Sequence, residues 1–373
     1  MTRDEFSGVR LRTARRIQGL TQLALAKRMA VTPTTVWRYE HGLSAPAGEI
    51  LEALCDVLDV HENYFYGPAL VEFSKDDIAY RSLATIPGRI RQQLSAFGTL
   101  SVEWIRFLRQ QVAMPSLDVP SVVASTQDDI ETAAARCRKH WYLGQGPIHS
   151  ITRVLENAGI VVSSIDTEAR EVDALSVCFD DQGLVVLNRT RGSSSRAIQS
   201  CAHELGHMVL HQGDKSKTPK TKEREAKHFA GAFLLPKQTF RREFWGYIQS
   251  GDRFDGLVTM KRRWRVSIQS ILYRARQLQL LGPASFRRYM QIVSSRGWRS
   301  GVPEPAEPEP LAPELLNLAF NQYQAKTGQA PSAMAAHLGW GTAILATIAG
   351  KSVEVDRRRV VDITTQMARK RKP

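Results

Sequence analysis

The chain has 373 residues, 43% of them hydrophobic, and a formal net charge of +14. That is long enough for two or three domains with cores of their own and too apolar for a disordered tail. No run approaches the ~20 apolar residues of a membrane helix, the start lacks an apolar signal segment, and four scattered cysteines (Cys55, Cys137, Cys178, Cys201) form no CxxC pair or disulfide framework; the expectation is a cytoplasmic protein with reduced thiols and no membrane association.

The charge is unevenly placed. Residues 1–40 hold eight Lys or Arg against three acids, whereas residues 41–67 hold five acids and no Lys or Arg. A local basic block suits a polyanion, or is a solvated surface; charge alone does not choose. "GVRLRTARRIQGL" predicts an amphipathic helix with Val9, Leu11, Ala14 and Ile17 inward, stopped by Gly19. Thr21 caps "QLALAKRMA" and Thr32 caps "PTTVWRYEHG", with Pro33 at the first helical position, where a missing N–H costs nothing. "SAPAGEILEALCDVLDV" supplies one or two more helices.

Two short helices joined by a tight turn form a helix-turn-helix, whose second helix enters the DNA major groove. That places Thr34, Thr35, Trp37 and Arg38 at the bases, Arg38 foremost because its fork matches guanine, and Gln22 at the phosphate backbone. From Leu11 to Val60 the chain resembles the Xre/Cro-type helix-turn-helix family through Thr21–Gln22, Ala26, Val31–Thr32, Val36, Arg38, Glu40, Gly42 and Pro46. Pro33 and Trp37 are less usual in that pattern. A plain helical bundle that binds protein is the other reading.

Residues 68–125 read as a helical connector, with spaced Trp and Phe, ending in "MPSLDVPS". "ITRVLENAGIVVSSIDT" then reads as helix, glycine turn and strand. "DALSVCFDDQGLVVLNRT" is a hairpin with its turn at Asp181–Gly183. A helix follows that carries "CAHELGHMVLH", residues 201–211. Residues four apart on a helix share a face, so His203 and His207 can bind one metal ion. Glu204, displaced about 100° around the helix, can take a proton from metal-bound water. A hydrolytic zinc site needs a third ligand, and "KTKEREAKHFAGAFLLP" offers two. Glu223 lies roughly 60° from the centre of that helix's apolar stripe and Glu225 roughly 100° away on the other side, which favours Glu223 with Glu225 as the alternative. His211, one turn beyond His207, either orients substrate or a group behind the ligands, or simply hydrogen-bonds at the domain surface.

The HExxH stretch and "EREAKHFAGAFLLP" resemble the ImmA/IrrE family of metallopeptidases, the M78 type, as do "RRWRVSIQSILYRARQLQLL" and "SSRGW" downstream. Residue by residue, the resemblance implies Zn2+ on His203, His207 and Glu223, with Glu204 as general base. It also implies cleavage of a regulatory protein, typically a helix-turn-helix repressor. Cys201 and Lys227 depart from the usual pattern without removing a ligand.

Residues 256–300 hold ten basic residues and no acidic one, and suit a second nucleic-acid surface, an acidic partner or plain solvation. "VPEPAEPEP" is a proline-acid linker, too polar to pack. A small helical unit and a basic tail close the chain. The expected fold class is mainly α with a small β-sheet (α+β): an N-terminal five-helix lambda-repressor-like helix-turn-helix domain, a zincin-like HExxH metallopeptidase domain and a C-terminal helical region. The expected bounds are 1–67 for the DNA-binding head, 68–125 for the connector, 126–250 for the metallopeptidase core, 251–301 for the basic helical extension, 302–313 for the linker and 314–373 for the last unit. The expected function is a homodimeric regulator, bound to double-stranded operator DNA, that cleaves a repressor or itself; the alternative is a repressor or antitoxin-like protein whose zincin domain senses a ligand or holds a partner.

Overall fold

The computed structural model describes residues 5–71, 88–166, 173–191, 193–214, 216–249, 253–299 and 302–349. The basic C-terminal tail and the early part of the connector lie outside them. The chain is mainly helical with one small sheet. Its head contains α1 (Gly8–Ile17), α2 (Gln22–Arg28), α3 (Pro33–Glu40) and α4 (Glu49–Leu58), then a one-turn 3-10 helix at Glu62–Tyr66 as the fifth helical element. Local chemistry sets the ends. The hydroxyls of Ser7, Thr21 and Thr32 each accept the N–H of the residue three along, satisfying donors that a helix start leaves open. Leu11, Ala14 and Ile17 face the core as their spacing predicts, while Val9 is half-buried. Arg15 of α1 forms a bidentate ion pair with Glu40 at the end of α3, both side chains buried.

The connector becomes α5 (Gly88–Gln111), a long helix whose middle, from Ala96 to Val102, is buried all round. It is followed by α6 (Gln127–His140), α7 (Ile151–Asn157), β1 (Ile160–Ile165), β2 (Ala174–Phe179) and β3 (Gln182–Asn188). The strand order is β1-β3-β2, with β1 parallel and β2 antiparallel to β3. The hairpin turn is Asp180–Asp181, one residue earlier than expected, and Asp180 takes φ 50°. Gly183 is not a turn glycine. It pairs with Ile160, and a Cβ there would stand 2.9 Å from that side chain.

Next come α8 (Ser194–Leu210), α9 (Pro219–Leu234), α10 (Lys237–Gln249), α11 (Arg253–Trp264), α12 (Ile268–Gln277) and α13 (Pro283–Ser295), then α14 (Leu315–Thr327), α15 (Pro331–His337) and α16 (Thr342–Ala349). Both faces of the sheet are covered, and alternation along each strand divides the core in two. Val161, Val177, Leu184 and Val186 join the head, α5 and α14–α16; Ile160, Val162, Val185 and Leu187 join α6–α13.

The last unit is set off in sequence but not in space. Trp104 of α5 stacks on Phe320 and Trp340, and Asp59 of the head caps α16 by accepting the Ala343 and Ile344 N–H groups. The proline-acid stretch also corrects its expectation: it packs. Glu304 and Glu307 both pair with the fully buried Lys261, and Glu307 also accepts from Ser193 and Ser195 at the start of α8. A buried ammonium needs counter-charges, and acids that looked too polar to pack supply them.

Between α11 and α12 the backbone repeats the turn of the head: a left-handed non-glycine residue (Arg265, φ 60°; Ala30, φ 52°), an apolar residue, then a hydroxyl cap (Ser267; Thr32). Much of the basic block around it is used internally. Lys261, Arg263 and Arg274 form ion pairs, and Arg296 lies over the rings of Phe254 and Trp298.

Candidate metal centre

Helix α8 starts at the Ser193 cap and runs along the sheet, so its inward residues Cys201, Ala202 and Leu205 are buried while His203 and His207 line one edge. Helix α9 lies against it. Gly206 sets how near it comes: a Cβ there would stand 3.2 Å from Ala226 Cα and 3.1 Å from the Phe229 ring. This close approach brings Glu223, on the first turns of α9, over the two histidines.

The three side chains converge. His203 Nε2 and His207 Nε2 are 3.2 Å apart, His207 Nε2 is 3.2 Å from Glu223 Oε1, and His203 Nε2 is 3.5 Å from Glu223 Oε2. Among the described residues they form a group that could hold a metal ion. Four ligands around Zn2+ at about 2.0–2.1 Å stand roughly 3.3 Å from one another, so the donors present fit that ion. Burial by itself would raise the Glu223 carboxyl, but bonds from His203 and His207 outweigh it and hold the group well below the ordinary carboxylate range. A carboxylate that stays ionised is what a cation site requires.

Glu225 is not brought to this point. It accepts from Lys217 Nζ at 2.9 Å, with His211 Nε2 also 2.9 Å from the same oxygen. His211 is itself buried and not at the surface; burial pushes its imidazole down to about 4, against the opposing bond to Glu225. Glu204 is 3% exposed and accepts from Ser176 Oγ on β2. The strand register puts Ser176 opposite Val185, on the sheet face that meets α8. Nothing in the local sequence marks Ser176, because its partner lies 28 residues away.

The far end of α9 is held by arginines. Arg138 donates to Phe233 O at 2.6 Å and Arg274 to Leu235 O at 2.9 Å, satisfying carbonyls that a helix end leaves open. Arg274 also forms a bidentate pair with Glu131, and His228 contacts the same carboxylate. In the head, Thr34, Trp37 and Arg38 are exposed on α3. Thr35 is half-buried, its hydroxyl 2.8 Å from that of Thr32. Gln22 is tied inward, its amide nitrogen donating to Glu40 at 2.7 Å.

An HExxH helix, a carboxylate from the next helix and a small sheet beside them stand here in a chain that also carries a helix-turn-helix. Residues 155–276 match the family model of peptidase M78, the IrrE N-terminal-like domain, and residues 8–63 match a helix-turn-helix domain. The chain therefore joins a helix-turn-helix domain to an IrrE N-terminal-like domain. It is 36% identical over 63 residues to an uncharacterized HTH-type transcriptional regulator, y4aM, of Sinorhizobium fredii. The match covers 17% of this chain and 44% of the relative, so the chain spans less than half the length of the curated relative it matches. Among the described residues, no helix is long and apolar enough to cross a membrane.

Proposed function

We propose that the protein is a DNA-binding transcriptional regulator, cytoplasmic and dimeric, whose second domain is a zinc-dependent endopeptidase acting on a regulatory protein: a helix-turn-helix repressor in trans, or its own chain. The observation that carries the catalytic half is the triangle of His203, His207 and Glu223 with edges of 3.2–3.5 Å, beside Glu204. Zinc held there would supply polarisation of a carbonyl and a lower pKa for water. His203, His207 and Glu223 would hold the ion. Glu204 accepts the proton from the attacking water and returns it to the leaving amine. No covalent acyl-enzyme is needed. In the head, Arg38 reads a base edge, Thr34 and Trp37 flank it, and Thr35 and Gln22 support the helix-turn-helix.

Glu204→Gln keeps the side chain's size and removes the base. It is expected to retain zinc and operator binding, to abolish loss of the target repressor in cells under inducing stress, and to leave the controlled genes uninduced. A second reading rests on the placement of Glu204 itself: buried and bonded to Ser176, it also ties α8 to β2. On that reading the site senses a ligand or holds a partner without cleavage, and a Glu204→Gln strain that still degrades or releases its target as the parent does decides for it.

Arg38→Ala tests the head. It is expected to weaken operator binding by about 1–3 kcal/mol while non-specific binding changes less, because phosphate contacts position and base contacts specify. Equal loss on operator and random DNA, followed by fluorescence anisotropy across salt concentrations, would make Arg38 a phosphate contact.

A further inference from the structure

We propose that His211, Glu225 and Lys217 form a positioning relay that fixes the tautomer and ring orientation of His207, so that its Nε2 offers a lone pair to the metal. The inference rests on the reading of His203, His207 and Glu223 as zinc ligands and adds residues that touch the ion only through another side chain.

The relay runs away from the site in one line. His207 Nδ1 is 3.1 Å from His211 Nδ1, and His211 Nε2 is 2.9 Å from Glu225 Oε2. Lys217 Nζ donates to the same Glu225 oxygen at 2.9 Å and to Ala124 O at 2.6 Å, which pins the carboxylate in place. The hydrogens follow from donor chemistry. A carboxylate only accepts, so the hydrogen in the His211–Glu225 bond sits on His211 Nε2. A neutral imidazole protonated on Nε2 has its lone pair on Nδ1, so the hydrogen between the two Nδ1 atoms belongs to His207. With an ion held in place of the hydrogen that His207 Nε2 shares with Glu223, that would leave His207 Nε2 bare, and Nε2 is the atom that faces His203 and Glu223. A ligating histidine whose other nitrogen donates to a fixed partner is a stronger and better-oriented ligand.

Burial makes the arrangement more than a surface contact. The side chains of His211 and Glu225 are 4% and 10% exposed, so water does not replace either partner. His211 ends α8 one turn after His207, and Glu225 stands two residues after Glu223, so the α8–α9 approach that builds the metal triangle builds the relay too.

The test is zinc affinity of the full chain, measured by competition with a chromophoric chelator, for the wild type, His211→Phe and His211→Gln. Phenylalanine keeps a ring in the cavity but offers His207 no acceptor. Glutamine carries an acceptor and a donor spaced much like the two ring nitrogens. His211→Phe is expected to bind zinc about 10–100-fold more weakly, with His211→Gln recovering most of the loss. In 15N spectra of the zinc-loaded wild type, His207 is expected to carry its proton on Nδ1, in slow exchange with water. A wild type that binds zinc, with His211→Phe binding as tightly or His207 protonated on Nε2, overturns the relay and leaves the metal reading standing. A wild type that takes up no zinc overturns the metal reading and the relay with it.

Discussion

Glu131→Ala is expected to lower the unfolding free energy by about 3–5 kcal/mol. The Arg274 side chain is fully buried, and Glu131 supplies its counter-charge through two bonds of 2.5 and 2.8 Å. Removing the carboxylate leaves a guanidinium in the core with Leu235 O as its remaining partner and His228 without its own. Linkage points the same way. Burial would raise the Glu131 carboxyl, but bonds from Arg274 and His228 overcome this and hold it at about 2 instead of 4.5. A carboxyl depressed on folding stabilises the native state above its unfolded value, and that contribution is lost as pH falls through the folded value. Wild-type stability should therefore drop between pH 4.5 and about 2 partly through this group, and the Glu131→Ala protein should show a shallower drop in urea melts across that range. Replacing the pair together, by Glu131→Gln with Arg274→Met, is expected to recover most of the loss because no buried charge is stranded. Since Arg274 also holds the carbonyl end of α9, the single variant should weaken zinc binding as well.

Purified protein is expected to carry about one zinc per chain, with His207→Ala and Glu223→Gln each reducing it to near zero under dialysis against a mild chelator. His207 is placed to suffer most, because its ring meets His203, Glu223 and His211 together. Glu225→Gln should instead keep a measurable share of the metal, its carboxylate reaching the ion only through His211. Plasma emission spectrometry on the dialysed proteins gives the answer directly. Full zinc retention in His203→Ala and His207→Ala alike would remove the metal site; equal and complete loss at Glu223 and Glu225 would show a carboxylate arrangement different from the one described.

How much of this was legible before folding depends on distance along the chain. The hydroxyl caps at Thr21 and Thr32 were, because a cap and the N–H it satisfies lie three residues apart. The histidine pair was, because a helix puts residues four apart on one face. Glu223 over Glu225 came from the apolar stripe of a helix that had to bury one side, and the structure sets Glu223 beside the histidines and Glu225 beyond them. The hairpin was legible and its turn was not. "DDQG" offers two ways to turn, and the choice fell to Ile160 on the parallel neighbour, which fills the space above Gly183.

Spacings within a turn or two of one element therefore specify the helix-turn-helix, the HExxH helix and the side chains that meet at the candidate site. Packing between distant elements set the Ser176–Glu204 bond, the His211–Glu225–Lys217 contacts, the burial of Lys261 under Glu304 and Glu307, and the seating of the last helices on the head. The physical reason is the same in each case. A buried polar group must find a partner or pay the full cost of leaving water, but many distant residues could serve, and only the packing of one helix or strand against another selects which of them does.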